Sequence, residues 1–355
     1  MLETLIETHG EAVVLMGAGL CVGALFGAAA QHSRFCLRAA AAELAGGEAG
    51  ARLSVWLVAF FAALASVQGA IAAGWLDVSA ARQLAATGSL SGAVLGGLMF
   101  GCGMILARGC ASRLLVLSAT GNLRAIVTGL VLTLVAQSAL RGALAPARES
   151  LAALWTVPGG AARSLGAMLH LPSWLVALLG AVALVLSFGF ALRQAVGLSR
   201  TIAAALVGLA VALGWWATYA VSQVSFEVIP VSSVTFTGPS TDTLMGLVNS
   251  TALPLGFGFG LVPGVFFGSG VMAVLSGEFR IQRFGPDTPM ERYLIGAALM
   301  GFGAMLAGGC AVGAGVSGGA ILAMTAWVAV FFMWVGAMAT QVALTRFAVG
   351  RAAGA

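Results

Sequence analysis

Lysine is missing from this 355-residue chain, and charge of either sign is scarce: 17 basic residues, all arginine, and 12 acidic ones make up 8% of the sequence. Soluble domains carry roughly 25% charged residues, so the scarcity argues against one or two soluble domains of this length. The arginines stand singly at the ends of apolar runs rather than in a basic stripe. Nucleic acid is therefore not an expected partner, in spite of a net charge of +5. CxxC pairs, HExxH, a P-loop and a Ser-His-Asp elbow are all absent. His32 lies four residues before Cys36 but has no two further ligands nearby. The GFGFG of residues 256–260 sits inside an apolar run without a preceding strand, so it is not a dinucleotide loop. No metal, no cofactor and no enzymatic site is expected. The first residues, MLETLIETHGEA, lack a basic n-region, so a cleaved signal peptide is not expected.

Apolar residues, by contrast, make up 60% of the chain, and the mean hydropathy is +1.02. Nine runs are long enough to cross about 30 Å of hydrocarbon: 11–30, 52–75, 91–107, 122–144, 172–192, 200–220, 252–276, 291–307 and 320–345. Residues 96–111 (GGLMFGCGMILARGCA) return as 296–311 (GAALMGFGAMLAGGCA). Gly96, Gly101, Gly103, Leu106, Ala107, Gly109, Cys110 and Ala111 each meet the same residue type at +200. The second, third and fourth runs likewise map onto the seventh, eighth and ninth. A single transmembrane domain follows, with a first repeat over 11–144, a connecting helix at 172–192 and a second repeat over 200–345. One connector is an odd number of crossings, so the 4+1+4 repeat is expected to be inverted, the arrangement that places sites at broken helices.

Four segments between the runs are too short or too broken to cross, and too apolar or too small-residue-rich for plain loops: 31–46, 108–120, 221–240 and 308–319. They read as re-entrant hairpins or half-helices buried in protein at membrane depth. Two enter from each face, giving an hourglass. The fold class is thus an all-α polytopic membrane protein with about nine transmembrane helices and short re-entrant helices. Gly19, Gly23 and Gly27, and again Gly256, Gly260, Gly264 and Gly268, form ladders suited to close helix packing. Asn122 reads as an N-cap.

Arg82, Arg141, Arg148 and Arg163 fall on the face holding the N-terminus, and the other 13 of the 17 arginines fall opposite. The positive-inside rule then puts the N-terminus outside and the C-terminus in the cytoplasm. Of five cysteines, Cys21 and Cys102 lie inside long apolar runs and read as packing residues. Cys36, Cys110 and Cys310 lie where a long run gives way to a broken segment. A thiol there is a weak donor and a soft acceptor, and a half-helix N-terminus adds partial positive charge. The pair suits a small anion bearing sulfur. Arg34, Gly109, Arg113, Thr235 and Gly309 are candidate pathway-lining residues beside these cysteines. Glu43 and Glu227, near the hairpins, read as capping or solvated carboxylates with proton relay as the alternative.

The constellation SRFC (33–36), GCGMILARGCASRLL…GNLR (101–124) and GFGAMLAGGCAVGAG (301–315) resembles the YeeE/YedE family of membrane sulfur transporters. The resemblance covers essentially the whole chain. It implies a nine-helix inverted-repeat fold with re-entrant helices, functional cysteines at Cys36, Cys110 and Cys310, thiosulfate or another sulfur or selenium species as substrate, and a small cytoplasmic TusA-like sulfur carrier as partner. The bacterial inner membrane is the expected location. Two rival readings use the same residues. One is a membrane thiol enzyme carrying a persulfide on Cys110 or Cys36, with Arg108 and Arg113 lowering the thiol pKa; the other is a passive channel for a neutral solute.

Overall fold

The apolar runs fold as helices, since in hydrocarbon each backbone N–H and C=O must be bonded within the chain. The computed structural model describes residues 2–249, 253, 255–285 and 289–353. Its principal helices are α1 Glu11–Ser33, α2 Leu37–Ala45, α3 Ala51–Ala72, α4 Leu90–Leu106, α5 Ala111–Ala119, α6 Leu123–Arg141, α7 Ala145–Ala153, α8 Ser173–Arg193, α9 Leu198–Val224, α10 Thr237–Asn249, α11 Phe257–Leu275, α12 Met290–Ala307 and α13 Met324–Ala353. Eight helical stretches among the described residues are long and apolar enough to cross a bilayer. The run expected at 291–307 is α12, an 18-residue helix. At 1.5 Å per residue it is about 27 Å long, and it packs against α4 and α6. The run expected at 252–276 begins on a residue outside the described set, and its helix is seen from Phe257.

Glycine sets the closest helix contacts. Gly19, Gly23 and Gly27 of α1 face α11, whose Gly260, Gly264 and Gly268 face back. A Cβ added at Gly23 would sit 3.0 Å from Val265 N, and one at Gly264 would sit 3.0 Å from Leu20 Cα. The contacts advance together along both helices, so α1 and α11 run parallel. Between α4 and α12 they advance in opposite senses. A Cβ at Gly96 would lie 2.6 Å from Gly303 O, and one at Gly103 would lie 2.5 Å from Gly296 O. That pair is antiparallel. Lipid tails are as apolar as leucine, so such contacts stabilise through dispersion at close range rather than through removal of water. The outward surface carries Val185, Leu186, Phe267, Val271 and Phe331, all exposed. Beside a charged fraction of 8%, such a surface suits a bilayer.

Two of the four expected broken segments hold half-helices of nine residues, α2 and α5. Asn122 caps α6, its side-chain oxygen accepting from Ala125 N at 3.0 Å. The other two segments depart from a plain half-helix. After α9 the chain carries neither helix nor strand through residues 228–235, and α10 starts only at Thr237. Pro230 and the β-branched run that follows it favour extended backbone, and Pro239 is tolerated in the first turn of α10. Residues 308–319 contain no α-helical turn before Gly319; Gly313–Gly318 form a π-helix, as six glycines in twelve positions weaken α-helix there. Spanning helices supply its missing hydrogen bonds. Trp215 Nε1 donates to Ser317 O at 3.3 Å, Trp327 Nε1 to Gly319 O at 3.2 Å, and Gln68 Nε2 to Ala320 O at 2.7 Å.

The sequence reading left residues 145–171 unassigned between two runs. They form a cap: α7, a two-residue strand pairing Gly88 with Val157 and Ser89 with Thr156, a 3-10 turn over Ala161–Arg163 and a short helix, Leu165–Met168.

Candidate functional site

One backbone device recurs at all three cysteines. α1, α4 and α12 each end on a left-handed residue two positions ahead of the thiol: Arg34 at φ 57°, Arg108 at φ 56° and Gly308 at φ 79°. The next N–H then bonds five residues back, Phe35 to Ala30 O, Gly109 to Met104 O and Gly309 to Ala304 O, at 3.1, 3.1 and 2.9 Å. This is the Schellman stop. It turns the chain so that Cys36 and Cys110 occupy the N-cap positions of α2 and α5 in extended conformation. The amide three residues on points toward each thiol. Gly313 N reaches Cys310 Sγ at 3.4 Å, whereas Ala39 N and Arg113 N approach Cys36 and Cys110 without closing a full capping bond.

Cys36, Cys110 and Cys310 are 8%, 2% and 1% exposed, and all five cysteines are free. Cys21 is exposed on the outer surface of α1, and Cys102 is half-buried with its thiol 3.6 Å from Gly336 O. The three thiols at the broken segments are thus set apart by burial as well as by backbone. Cys36 and Cys110 interact with each other, and Cys110 Sγ is 3.3 Å from Ser112 Oγ.

A cavity of about 590 Å³ opens on Cys36, lined by it and by Arg34, Arg38, Arg52, Arg108, Arg113 and Arg280 among others. Glu278 is the one carboxylate in that lining among the described residues. It accepts from Arg34 Nη2 and from Gln31 Nε2, both at 2.8 Å, and Gln31 Oε1 in turn accepts from Arg113 at 3.3 Å. The hydrogen bond from Arg34 is the foremost cause that holds the Glu278 carboxyl below the usual carboxylate range, against the opposing effect of burial. Six guanidinium groups against one carboxylate make the cavity strongly anion-attracting.

Among the expected residues, Arg34 and Arg113 join Cys36 in this cavity, while Gly109 and Cys110 are buried. Thr235 belongs with Cys310: the backbone of Gly313 approaches it so closely that a Cβ there would overlap its hydroxyl. Gly309 is half-buried beside Cys310. The two groups are linked by aromatics, since Phe26 packs on Phe35 at 6.4 Å and on Phe236 at 5.1 Å between centroids. Those rings flank Cys36 and Thr235 in sequence. Glu43 accepts from Arg52 N and Leu53 N at 3.0 and 2.9 Å, capping α3, and Glu227 is exposed. His32 bonds to Ser199 at 2.9 Å.

Sequence reasoning missed Gln31 and Glu278. Gln31 was visible as an amide at the end of a polar-poor run, but nothing in sequence pairs it with a carboxylate 247 positions on.

The family described as Sulphur transport matches residues 32–339. The chain belongs to this family. Two curated relatives carry the name Thiosulfate transporter TsuA. The protein from Escherichia coli (strain K12) is 33% identical over 135 residues, 38% of this chain and 36% of the relative. The protein from Spirochaeta thermophila is 40% identical over 78 residues, 21% of this chain and 23% of the relative. The matches therefore span about a third or less of those relatives' lengths. Family membership extends across all three cysteine segments, because 32–339 encloses Cys36, Cys110 and Cys310.

Proposed function

We propose that this protein imports a small sulfur oxyanion, thiosulfate foremost, across the bacterial inner membrane. The observation that carries the reading is the recurrence of one stop-and-cap device that delivers a buried thiol three times, twice at half-helix N-termini beside an arginine-rich cavity. Amide dipoles and guanidinium groups hold the charge, and the thiols contact the soft sulfur. Several shallow sites favour conduction, because each releases what it binds. The names of the relatives agree with this substrate.

In this reading Cys310 receives the anion from outside, and Cys110 and Cys36 pass it inward. Arg34 and Arg113 line the inner half, and Thr235, with Gly309, lines the outer. The N-terminus is outside and the C-terminus cytoplasmic, a reading that the arginine asymmetry supports. A cytoplasmic sulfur carrier of the TusA type would take the anion at the Cys36 cavity. The 4+1+4 repeat is inverted, a reading supported by the reciprocal glycine contacts of α4 and α12: Gly96 meets Gly303 and Gly103 meets Gly296, as a two-fold axis in the membrane plane would produce.

Uptake of labelled thiosulfate into proteoliposomes tests the reading. Uptake by the unmodified protein that collapses on replacing any one of the three thiols supports it. Uptake indifferent to all three contradicts it.

A further inference from the structure

A cavity of about 370 Å³ opens where α3 ends. Arg52, at the start of that helix, lines the Cys36 cavity, whereas Ile71, at its end, lines this one, so the two lie toward opposite faces. The cap supplies Gly160, Ser164 and Leu171, and the turn that follows the π-helix supplies Ile321 and Leu322. Backbone bonds tie these parts together: Leu165 N donates to Leu322 O at 2.9 Å, and Gly160 N to Leu84 O at 2.8 Å. The volume falls within the roughly 300–1,000 Å³ of small-ligand sites.

Its lining differs in kind from that of the Cys36 cavity. Ile71, Val78, Leu84, Leu171 and Leu322 make it largely apolar, and Asp77 is its one charged side chain. No basic and no aromatic residue lines it among the described residues. Asp77 is exposed, and its Oδ1 accepts from Ser79 N at 2.8 Å in an Asx turn, which leaves Oδ2 open. Gln68 is 4% exposed; its Nε2 is committed to Ala320 O at 2.7 Å, while its Oε1 has no donor among the described residues. Such a lining repels anions and attracts a cation. Quaternary ammonium groups are held by aromatic cages, which this cavity lacks. A primary ammonium instead brings three N–H donors, and Asp77, Gln68 and the Ser79 hydroxyl offer oxygens to receive them.

Two indoles mark the depth. Trp75, two residues before Asp77, is 70% exposed, and Trp174, next to the lining residue Ser173, is 61% exposed. Exposed tryptophan on a membrane protein sits at the boundary between headgroups and hydrocarbon. The molecules that fill that boundary are lipids, with a polar head beside an apolar chain.

We propose that this cavity binds a phospholipid with a primary-ammonium headgroup, drawn from the leaflet on its own face. Asp77 takes the ammonium, and the apolar wall takes the upper end of an acyl chain. Because Gln68 also carries Ala320 O, the bound headgroup braces the end of the Cys310 segment. This site goes beyond the import reading and does not rest on it.

Photolabelling tests the site. Full-length protein in phosphatidylcholine nanodiscs receives a trace of phosphatidylethanolamine with a diazirine at the head of one acyl chain, and peptide mass spectrometry locates the adducts after irradiation. Adducts are expected within residues 68–84 or 160–173. Unlabelled phosphatidylethanolamine in excess over the probe lowers their yield severalfold, whereas phosphatidylglycerol does not. Asp77→Asn removes the charge but keeps the turn, since its side-chain oxygen still accepts from Ser79 N, and the yield falls severalfold. Ala167→Phe, at an exposed position of the same lining, fills the space and has the same effect. Phosphatidylethanolamine should also raise the melting temperature of the unmodified protein, as a ligand of the folded state does, and leave that of Asp77→Asn unmoved. Adducts confined to other segments overturn the site, as does equal displacement by phosphatidylglycerol. Labelling that survives either substitution overturns it as well. Each readout is independent of whether thiosulfate is transported.

Discussion

Glu278 reaches back across the arginine-lined cavity to Arg34, Oε1 to Nη2 at 2.8 Å, and so occupies with its own carboxylate two of the donors that face the Cys36 side. Both side chains are partly solvated, at 40% and 37% exposure, so the pair contributes little to stability. Its interest lies in competition. A resident carboxylate on Arg34 and Gln31 is an anion that a substrate must displace.

Replacing that carboxylate therefore changes affinity more than folding. Glu278→Gln is expected to lower the KM for thiosulfate severalfold, with thermal stability near that of the parent. The pH dependence has a definite sign. The carboxyl is held below its ordinary value, so the contact with Arg34 is fully present above the unfolded-state pKa of about 4.3 and is lost as pH falls through the lower folded-state value. Mild acidification to the lower edge of the carboxylate range leaves the contact intact, and only further acid releases Arg34. Uptake measured against pH should show an acid-side increase in affinity that is absent from Glu278→Gln. Identical pH profiles for the two proteins would remove Glu278 from the pathway.

The left-handed turn at Arg108 makes a prediction about backbone alone. At φ 56° a β-branched residue is strained, whereas glycine is not. Arg108→Ile should destabilise by about 1–2 kcal/mol, and Arg108→Gly should keep the melting temperature while removing one positive charge from the cavity. Gly308, at φ 79° ahead of Cys310, should tolerate valine as poorly as Arg108 tolerates isoleucine. Detergent-solubilised melting curves compare the three variants with the unmodified protein.

The crossed glycines give a stability contrast. A Cβ at Gly103 would stand 2.5 Å from Gly296 O and 2.9 Å from Met300 N, backbone atoms that cannot step aside. Gly103→Ala and Gly264→Ala are expected to reduce the folded yield and the melting temperature. Gly17→Ala, where nothing lies within 4 Å, should leave both unchanged. Equal effects at all three positions would mean that the ladders are not packing surfaces.

These contrasts show what could be seen in the chain itself. Span positions, the α1 and α11 glycine ladders and the Asn122 cap were legible, because periodic small residues and capping side chains act locally. The turns ahead of Cys110 and Cys310 were legible for the same reason, as a cysteine directly after a helix-stopping Arg-Gly or Gly-Gly is a local pattern, whereas Cys36 follows Arg-Phe. The start of α10 was not, because Pro230 and the β-branched residues delay the helix to the last residues of the 221–240 segment. The π-helix at Gly313–Gly318 was hidden as well, since it depends on Trp215 and Gln68 from distant spans and on Trp327 from the helix that follows. The Arg163 cap over Thr325 joins residues 162 positions apart, and no local signal marks it.

Thiol accessibility distinguishes the buried cysteines further. Cys36 lines the larger cavity and is 8% exposed, whereas Cys110 is 2% exposed and lies outside the lining. A small, charged thiol reagent applied from the cavity side should modify Cys36 faster than Cys110, and Cys310 should react only from the opposite face. Reaction of Cys36 and Cys310 from the same side would contradict the proposed topology.

The most direct measurement is competition of sulfate against labelled thiosulfate in proteoliposome uptake, for the unmodified protein and for Cys36→Ser, Cys110→Ser and Cys310→Ser. Both are tetrahedral dianions, so guanidinium and amide groups alone would hold them comparably, and only the soft contact of the thiols favours thiosulfate. A difference of about 1.4 kcal/mol gives tenfold selectivity. The account predicts that sulfate in tenfold excess barely inhibits the unmodified protein, and that each serine variant is slower and more sensitive to sulfate, with Cys21→Ser and Cys102→Ser unchanged. Sulfate competing on equal terms in the unmodified protein would contradict it.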